Sequence, residues 1–318
     1  MSLGVAIPFW LDRPDEEAVE IACAADRAGV NTVWVGEMAS FDAFALATAI
    51  GLQTERVRLK VGPLAVGVRS LVALALGVSS VATLVGRVVD VALGASSPAI
   101  VSGWHDRPWS GLAGQMRESV LALRALLDGE RIDHGFKLRR PQPEASITVA
   151  AFGPRITRVG ALFADELVLN LVTPEHVAIA RARIDAEAAS AGRSVPGLAV
   201  WVPAALDPGE RAMAQLASQL SVYLGAPGYG ELFAGLGFGD LVDRARAGTP
   251  RAALAEAVPS KLVAQIGALG DTGEILARVA AYHAAGADHV AIVPSTAEDP
   301  AGGRLLEIVA ALEATPQR

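Results

Sequence analysis

The sequence is poor in cysteine and lacks the short motifs that mark several common enzyme classes. Its 318 residues include one cysteine, Cys23, so no internal disulfide can form and a reducing, cytoplasmic setting is expected. Walker A, HExxH, CxxC and GxSxG motifs are absent, and none of the five histidines pairs with another at metal-ligand spacing. We therefore expect no metal site and no hydrolase chemistry of these kinds.

Charge is also scarce, and no basic stripe occurs. Charged residues make up 19% of the chain and the net charge is −7, so the electrostatic attraction that drives binding to nucleic acid or to an anionic membrane is missing. A long uncharged, strongly apolar run lies between Arg69 and Arg87, falls just short of a membrane span and contains Ser79 and Ser80. It is interpreted as a buried helix. The N-terminus lacks the pattern of a signal peptide.

Hydrophobic residues, by contrast, make up 52% of the chain. Short apolar runs alternate with longer helical patterns, which is typical of βαβ units. The predicted strands are Leu3–Pro8, Thr32–Gly36, Arg58–Leu64, Val88–Leu93, Ile147–Ala151, Leu167–Leu171, Leu198–Pro203 and His289–Pro294.

Eight such strands, mostly separated by helices, predict a single α/β domain over residues 1–318, a TIM-type (β/α)₈ barrel. Residues 208–259 are too many for one crossover and are predicted to be a mainly helical insertion before the last strand. An open doubly wound sheet is the alternative. It would usually carry a glycine fingerprint after the first strand, where this chain has Pro8-Phe9-Trp10-Leu11-Asp12.

In a barrel, the loops that follow the strands form the active face, and the loop after the fourth strand is one of three informative ones. Glycine there permits close backbone approach, and hydroxyls with their amides can bind an anion or a ring edge. A plain polar turn is the alternative. The cofactor-binding candidates in this loop are Gly94, Ala95, Ser96 and Ser97.

The loop after the fifth strand opens a helix. Pro154 suits the first helical position, and the helix N-terminus then offers amides and a positive dipole end to an anion. Arg155 and Arg158 oppose the dipole unless an anion is bound, although a capped helix with solvated arginines is equally compatible. The candidates here are Ala151, Phe152, Gly153, Pro154 and Arg155.

The loop after the second strand carries two acids, Glu37 and Asp42. A carboxylate at an apolar strand end can have a raised pKa and exchange protons, so Glu37 is the catalytic candidate and Asp42 a substrate-binding candidate. Alternatively, Asp42 only caps the following helix.

At these residues the sequence resembles the luciferase-like monooxygenase superfamily, and most closely its branch that uses coenzyme F420, which includes methylenetetrahydromethanopterin reductase-like proteins. The resemblance spans the chain apart from the insertion. The stretches that carry it are VWVGEMASFDAF, LKVGPLAVGVRS, VALGASSPAIVSGWHDRPW, VAAFGPRITRVGALFADELVLNL and GADHVAIVP.

The resemblance implies a barrel with an insertion, a homodimer and a cofactor cleft at the carboxyl ends of the strands. It also implies a bulge after the third strand, often with a non-proline cis peptide, which backs the cofactor ring near Leu64, Ala65 and Val66. Trp10 and His105 are further substrate-binding candidates.

The function expected from the resemblance is hydride transfer between coenzyme F420 and a small organic substrate. An FMN-dependent monooxygenase is the alternative, since both cofactors offer a phosphate and a flat tricyclic ring. Related enzymes often have a histidine where this chain has Met38, and methionine cannot transfer protons. A cofactor-binding protein with little catalysis is therefore a third interpretation.

Overall fold

The structure is a computed structural model that describes residues 2–37, 39–132 and 135–314, with side chains up to residue 311. Met38 lies outside the described residues. The described strands are Ser2–Ala6 (β1), Thr32–Val35 (β2), Arg58–Ala65 (β3), Val89–Gly94 (β4), Ile147–Ala150 (β5), Glu166–Asn170 (β6), Gly197–Leu206 (β7), Ala268–Gly270 (β8) and His289–Pro294 (β9).

The strands follow the order β6-β5-β4-β3-β2-β1-β9-β7, and an additional β6–β7 pairing closes the ring. The short strand β8 pairs with β7 outside the ring. The prediction of a TIM-type barrel with eight strands is therefore confirmed. The sequence pattern missed β8 because its three residues are too few to show a period.

Helices connect the strands. Their bounds are Glu17–Ala28 (α1), Ala43–Gln53 (α2), Leu71–Val85 (α3), Leu112–Leu127 (α4), Pro154–Phe163 (α5), Pro174–Ser190 (α6), Glu210–Tyr223 (α7), Tyr229–Phe233 (α8), Gly239–Arg246 (α9), Arg251–Ala257 (α10), Ser260–Ile266 (α11), Thr272–Ala284 (α12) and Gly303–Ala314 (α13). Short π-helical segments occupy Ala99–Trp104 and Ala234–Phe238.

The mainly helical insertion before the last ring strand is confirmed, since α7 to α10 lie within residues 208–259. The long uncharged run forms α3, which Ser70 begins by accepting a hydrogen bond from the Ala73 amide at 3.2 Å. No helix within the described part of the chain is long and apolar enough to cross a membrane.

Backbone proximity divides the chain into two compact units. The first unit comprises the residues up to Val30, Asn170–Ala178 and the residues from Val200 onward. The second comprises Asn31–Leu169 and Ile179–Ala199. Each is described by itself below, and the single domain over residues 1–318 stays a prediction.

In the second unit, the amino-terminal ends of the strands hold a buried ion pair. The Lys60 ammonium on β3 lies 2.5 Å from the Glu166 carboxylate of β6 and 3.2 Å from the Thr148 hydroxyl of β5. It also lies 4.4 Å from the centre of the Trp34 ring. Because β4 and β5 separate β3 from β6 in the sheet, this pair crosses the inside of the barrel.

A second ion pair lies at the same strand ends. Asp90 on β4 accepts two hydrogen bonds from Arg58, at 2.5 and 2.7 Å, and one from the Ser146 amide at 2.7 Å. Asp90 is buried, so each of these bonds offsets the cost of removing its charge from water.

Candidate functional site

At the carboxyl end of β3, the strand bulges towards β4. The register between the two strands shifts between Val61 and Leu64, and the Gly62–Pro63 peptide is cis. The expected bulge therefore lies inside β3. The cis bond found at this bulge precedes a proline, unlike the non-proline cis peptide that the resemblance implied, and contact of Leu64, Ala65 and Val66 with a cofactor stays a prediction.

Small residues meet at this bulge. A Cβ atom added to Gly94 would lie 3.1 Å from the Pro63 Cβ and 3.6 Å from the Ala150 Cβ, so the ends of β3, β4 and β5 converge there. Pro63, Ala65 and Ala150 are half-buried, and we call Pro63, Gly94 and Ala150 the platform. Gly94 is buried between the other two residues, so the platform consists of small apolar groups in close contact.

The loop after β4 continues from the platform. Ser96 has a φ of 54°, a left-handed conformation that is uncommon outside glycine and often found at functional sites. Trp109 fixes the loop because its indole nitrogen donates to the Ala95 carbonyl at 3.0 Å. His105 is exposed at the end of the π-helical segment, and its substrate-binding role stays a prediction.

Helix α5 begins directly beyond the platform. Gly153 is its N-cap residue and has no side chain to cap the helix, while Pro154 is at the first helical position. No side chain of the N-cap residue therefore occupies the first amides of α5, and such amides can donate hydrogen bonds to an anion. Arg155 is exposed, whereas Arg158 lies 3.6 Å from Glu187 of α6. Of the two arginines, Arg155 is therefore the better placed for an anion at this helix end.

An ion cluster links the loops after β2 and β3. Both carboxylate oxygens of Glu37 accept hydrogen bonds from Arg69, and Arg69 also lies 2.5 Å from Asp42. Glu37 and Arg69 are each 21% exposed. The Arg69 guanidinium also lies over the Phe44 ring, 5.8 Å from its centre, so the cluster is held on several sides.

Asp42 is a helix cap as well as a member of this cluster. Its carboxylate accepts from the amides of Phe44 and Ala45, at 3.0 and 3.1 Å. Burial favours the neutral acid, but the Ala45 amide and Arg69 outweigh it and hold the pKa of Asp42 below its ordinary value. The expected raised pKa is therefore wrong for Asp42, because the backbone amides and Arg69 stabilise its charged form. The only sequence signal of Arg69 is its place after β3.

In the first unit, buried polar contacts fix the ends of β1 and β9. The Trp10 indole nitrogen donates to the Pro294 carbonyl at 3.1 Å, and Trp10 is 6% exposed. The Gln215 amide of α7 accepts from the Ser295 hydroxyl at 2.7 Å and donates to Asp12 at 3.2 Å. Trp10 is thus part of a packed wall, and its contact with substrate stays a prediction.

These features define a class of protein, an α/β barrel with small apolar residues at the carboxyl ends of β3 to β5, followed by a helix that Gly153 and Pro154 begin. A family model provides the identification. The chain belongs to the luciferase-like monooxygenase family, whose model matches residues 4–289.

Comparison with individual proteins agrees with this family. A putative coenzyme F420-dependent oxidoreductase of Mycobacterium tuberculosis is 24% identical over 335 residues, which cover 94% of this chain and 96% of the relative. The coenzyme F420 dependent tetrahydromethanopterin reductase of Methanopyrus kandleri has a TM-score of 0.78 at 15% identity, with 98% of each chain covered.

An FMN complex has a similar fold. The oxygenating constituent of 3,6-diketocamphane monooxygenase, a type II Baeyer-Villiger monooxygenase of Pseudomonas putida, has a TM-score of 0.71 at 16% identity, with 98% of this chain and 96% of that chain covered. The predicted resemblance to luciferase-like enzymes, including the branch that uses F420, is confirmed.

Proposed function

We propose that this protein is an oxidoreductase that uses coenzyme F420 to exchange a hydride with a small organic substrate. The observation that carries the proposal is the platform of Pro63, Gly94 and Ala150 beside the open N-terminus of α5. The name of the Mycobacterium tuberculosis relative favours F420 over FMN.

The residues of the second unit fit such a cofactor. A flat ring would lie on the platform, where a larger residue in place of Gly94 would collide with Pro63. A phosphate would be held by the first amides of α5 and by Arg155, because a helix N-terminus and a guanidinium both stabilise an anion. Gly153 leaves this end uncrowded, since a Cβ there would meet nothing within 4 Å.

The bound deazaflavin would supply the two-electron chemistry, and the protein would supply orientation and electrostatics. Glu37 is our candidate for the catalytic group. Because both of its carboxylate oxygens accept hydrogen bonds from Arg69, we assign it the role of a fixed negative charge and hydrogen-bond acceptor near the reacting groups. This role does not require the side chain at position 38 to transfer a proton.

The proposal is tested by titrating the purified protein with F420 and, in parallel, with FMN, following cofactor fluorescence. We expect F420 to bind more tightly. Tighter binding of FMN would favour the monooxygenase alternative, and tight F420 binding without turnover over a broad panel of substrates would favour a binding protein. Failure to bind either cofactor would refute the oxidoreductase assignment.

Arg155 and Arg158 provide a matched pair of variants on one helix. Arg155→Ala is expected to weaken F420 binding about tenfold, because a charge-assisted hydrogen bond to the phosphate is lost. Arg158→Ala is the control, since its side chain is directed to Glu187 and should leave the affinity nearly unchanged. Equal effects of the two changes would contradict the assignment of the phosphate to this helix end.

We also propose that the protein is a homodimer. Leu52 of α2 and Leu76 and Leu84 of α3 are exposed on the uncharged helices of the second unit, where a second copy would cover them. Sedimentation equilibrium is expected to give twice the chain mass, and Leu84→Lys is expected to shift the protein towards the monomer. A monomeric parent protein would refute the proposal.

A further inference from the structure

Three polar side chains of the first unit meet at the carboxyl end of β6. Asn170 is the last residue of that strand, and its amide nitrogen lies 3.4 Å from the Tyr229 hydroxyl. The Asn170 side chain is also a hydrogen-bond partner of Tyr223. The rings of Tyr223 and Tyr229 are edge to face, 4.9 Å apart. We call Asn170, Tyr223 and Tyr229 the phenol cluster.

The phenol cluster lies where barrels usually bind substrate. Catalytic and binding residues of this fold follow the carboxyl ends of the strands. Leu171, directly after Asn170, has a φ of 56°, a strained conformation of the kind that persists at binding sites. Both tyrosines are half-buried, so part of each residue is exposed to solvent.

The three side chains carry no formal charge, and both phenols remain protonated at neutral pH. Burial raises the pKa of Tyr229, neighbouring Tyr223 adds to the rise, and the hydrogen bond with Asn170 opposes it. Burial also raises the pKa of Tyr223. Protonated phenols and a carboxamide are hydrogen-bond donors, so together they suit an acceptor oxygen.

The acid nearest to Tyr229 along the chain is already paired. Glu231 of α8 is paired with Arg246 of α9, and that hydrogen bond lowers the pKa of Glu231. A charged ligand at the phenol cluster would therefore lose water without gaining an ionic partner among the three side chains, which is costly. A neutral ligand avoids this penalty.

The hydrogen bond between Asn170 and Tyr229 is long, so a hydrogen bond to a ligand can replace it. At 3.4 Å it exceeds the usual range of donor–acceptor distances and is weak, so a ligand oxygen competes with it at little cost. Tyr223 ends helix α7, whereas Tyr229 belongs to the glycine-rich segment that follows, in which Gly228 and Gly237 have φ values of 87° and 95°. Such a segment adapts its conformation to a ligand more readily than a regular helix does.

We propose that Asn170, Tyr223 and Tyr229 are the specificity-determining residues of the substrate site, and that they select an uncharged, mainly apolar molecule through one hydroxyl or carbonyl oxygen. The apolar part would lie along the aromatic row that Tyr229 continues to Phe233, whose ring centre is 6.3 Å away. This inference rests on the proposed oxidoreductase function and names the class of its substrate.

The test uses three probes that share one ring and differ in charge, namely cyclohexanone, cyclohexanecarboxylate and cyclohexylammonium. Binding of each to the full-length protein is measured by ligand-observed NMR titration, which needs no turnover. We expect cyclohexanone to bind most tightly. Tighter binding of either ion to the parent protein would overturn the inference.

Removing single tyrosine hydroxyls tests which of them donates a hydrogen bond to the ligand oxygen. Tyr229→Phe and Tyr223→Phe are each expected to weaken cyclohexanone binding about fivefold, as for the loss of one neutral hydrogen bond. Tyr282→Phe is the matched control, because that hydroxyl donates to the carbonyls of Val172 and Ile266, at 2.7 and 3.0 Å, as a packing contact. The inference fails if Tyr282→Phe weakens binding as much as the other two changes do.

A variant that is expected to bind one probe more tightly provides a test that misfolding cannot mimic. Asn170→Asp preserves the shape and adds a negative charge, so it is expected to strengthen cyclohexylammonium binding about tenfold and to weaken cyclohexanone binding. An unchanged order of the three probes would overturn the inference.

F420 titration of the same variants separates this inference from the proposed function. The F420 residues proposed above all belong to the second unit, so the Tyr223, Tyr229 and Asn170 variants should bind F420 like the parent protein. If the parent protein binds F420 but these changes leave the affinities for the three cyclohexyl probes unaltered, only the substrate assignment fails. If the parent protein does not bind F420, the proposed function fails.

Discussion

The two ends of strands β3 to β6 differ in how their polar groups are used. At the amino-terminal ends, Lys60 is paired with Glu166, and Asp90 is paired with Arg58. At the carboxyl ends, Arg69 after β3 is paired with Glu37 and Asp42, but beyond β5 Gly153 and the Arg155 side chain are exposed. The amino-terminal ends pair the charges named above with one another, whereas the carboxyl end of β5 presents small residues, backbone amides and an exposed cation.

This difference separates stability from function in one set of strands. Barrel enzymes bind their ligands at the carboxyl ends, while residues at the amino-terminal ends contribute mainly to the fold. We therefore expect substitutions at the two ends to affect different measurements: the free energy of unfolding at one end, and cofactor affinity at the other.

The largest effect on stability is expected at the amino-terminal ends. Lys60→Met removes the partner of Glu166 inside the barrel and should lower the free energy of unfolding by about 3 kcal/mol, because a partly buried carboxylate is left uncompensated. Urea unfolding measures this loss. F420 affinity of the folded variant should be unchanged, and a selective loss of affinity would break the proposed separation.

The double variant with Lys60→Met and Glu166→Leu is its control. Replacing both charges by apolar side chains is expected to recover much of the stability, since the penalty of the single change comes from the unpaired charge. A double variant as unstable as the single one would show that packing of the lysine stem, rather than the ion pair, stabilises this end.

A smaller effect on stability and a larger one on binding are expected at the platform. Gly94→Ala adds a Cβ atom 3.1 Å from Pro63, a close contact that should cost about 1 kcal/mol of stability. The same methyl group raises the surface on which the ring is proposed to lie, so F420 affinity should fall about tenfold. Fluorescence titration and urea unfolding of one sample measure both effects.

Gly114→Ala is the matched control for Gly94→Ala. A Cβ at Gly114 would meet nothing within 4 Å, and the residue lies in the first turn of helix α4. Alanine should stabilise that helix slightly, by about 0.5–1 kcal/mol, without changing F420 affinity. If both changes reduced affinity alike, the platform would not be the ring-binding surface.

The barrel could be predicted from the sequence because each strand is a buried apolar run followed by a helical pattern. The insertion could be located from its length alone. The bulge was expected after the third strand, near Leu64, Ala65 and Val66, whereas the register between β3 and β4 shifts earlier, between Val61 and Leu64. A register shift depends on the pairing of two strands, which the local pattern of one strand does not determine.

The contacts of the candidate site were harder to predict than its loops. Arg69 joins Glu37 and Asp42 from 32 and 27 residues away, and no sequence period links such positions. Likewise, Asn170 meets Tyr229 across 59 residues. Loop positions follow from the order of the strands, but the partner of a side chain depends on how neighbouring loops pack.

The smallest expected effect concerns Asp42 at the carboxyl ends, and it depends on pH. The pKa of Asp42 is lowered in the folded protein, below the ordinary 3.8, so its stabilising contribution is fully present above that value and is lost as the pH falls through the folded pKa. Asp42→Asn keeps a good helix cap but removes the charge that pairs with Arg69. Because the Asp42 side chain is half exposed, the stability difference at pH 7 should be below about 1 kcal/mol.

Urea unfolding of the parent protein and the Asn variant between pH 7 and pH 3 measures this contribution. The stability difference between them should shrink as the pH falls below about 4, because protonation removes the charge from Asp42 in the parent protein as well. A difference that stays constant over this range would show that Asp42 acts at α2 through its cap alone. Glu37 would then be the single anionic partner that holds Arg69, and the ion cluster would depend on one carboxylate.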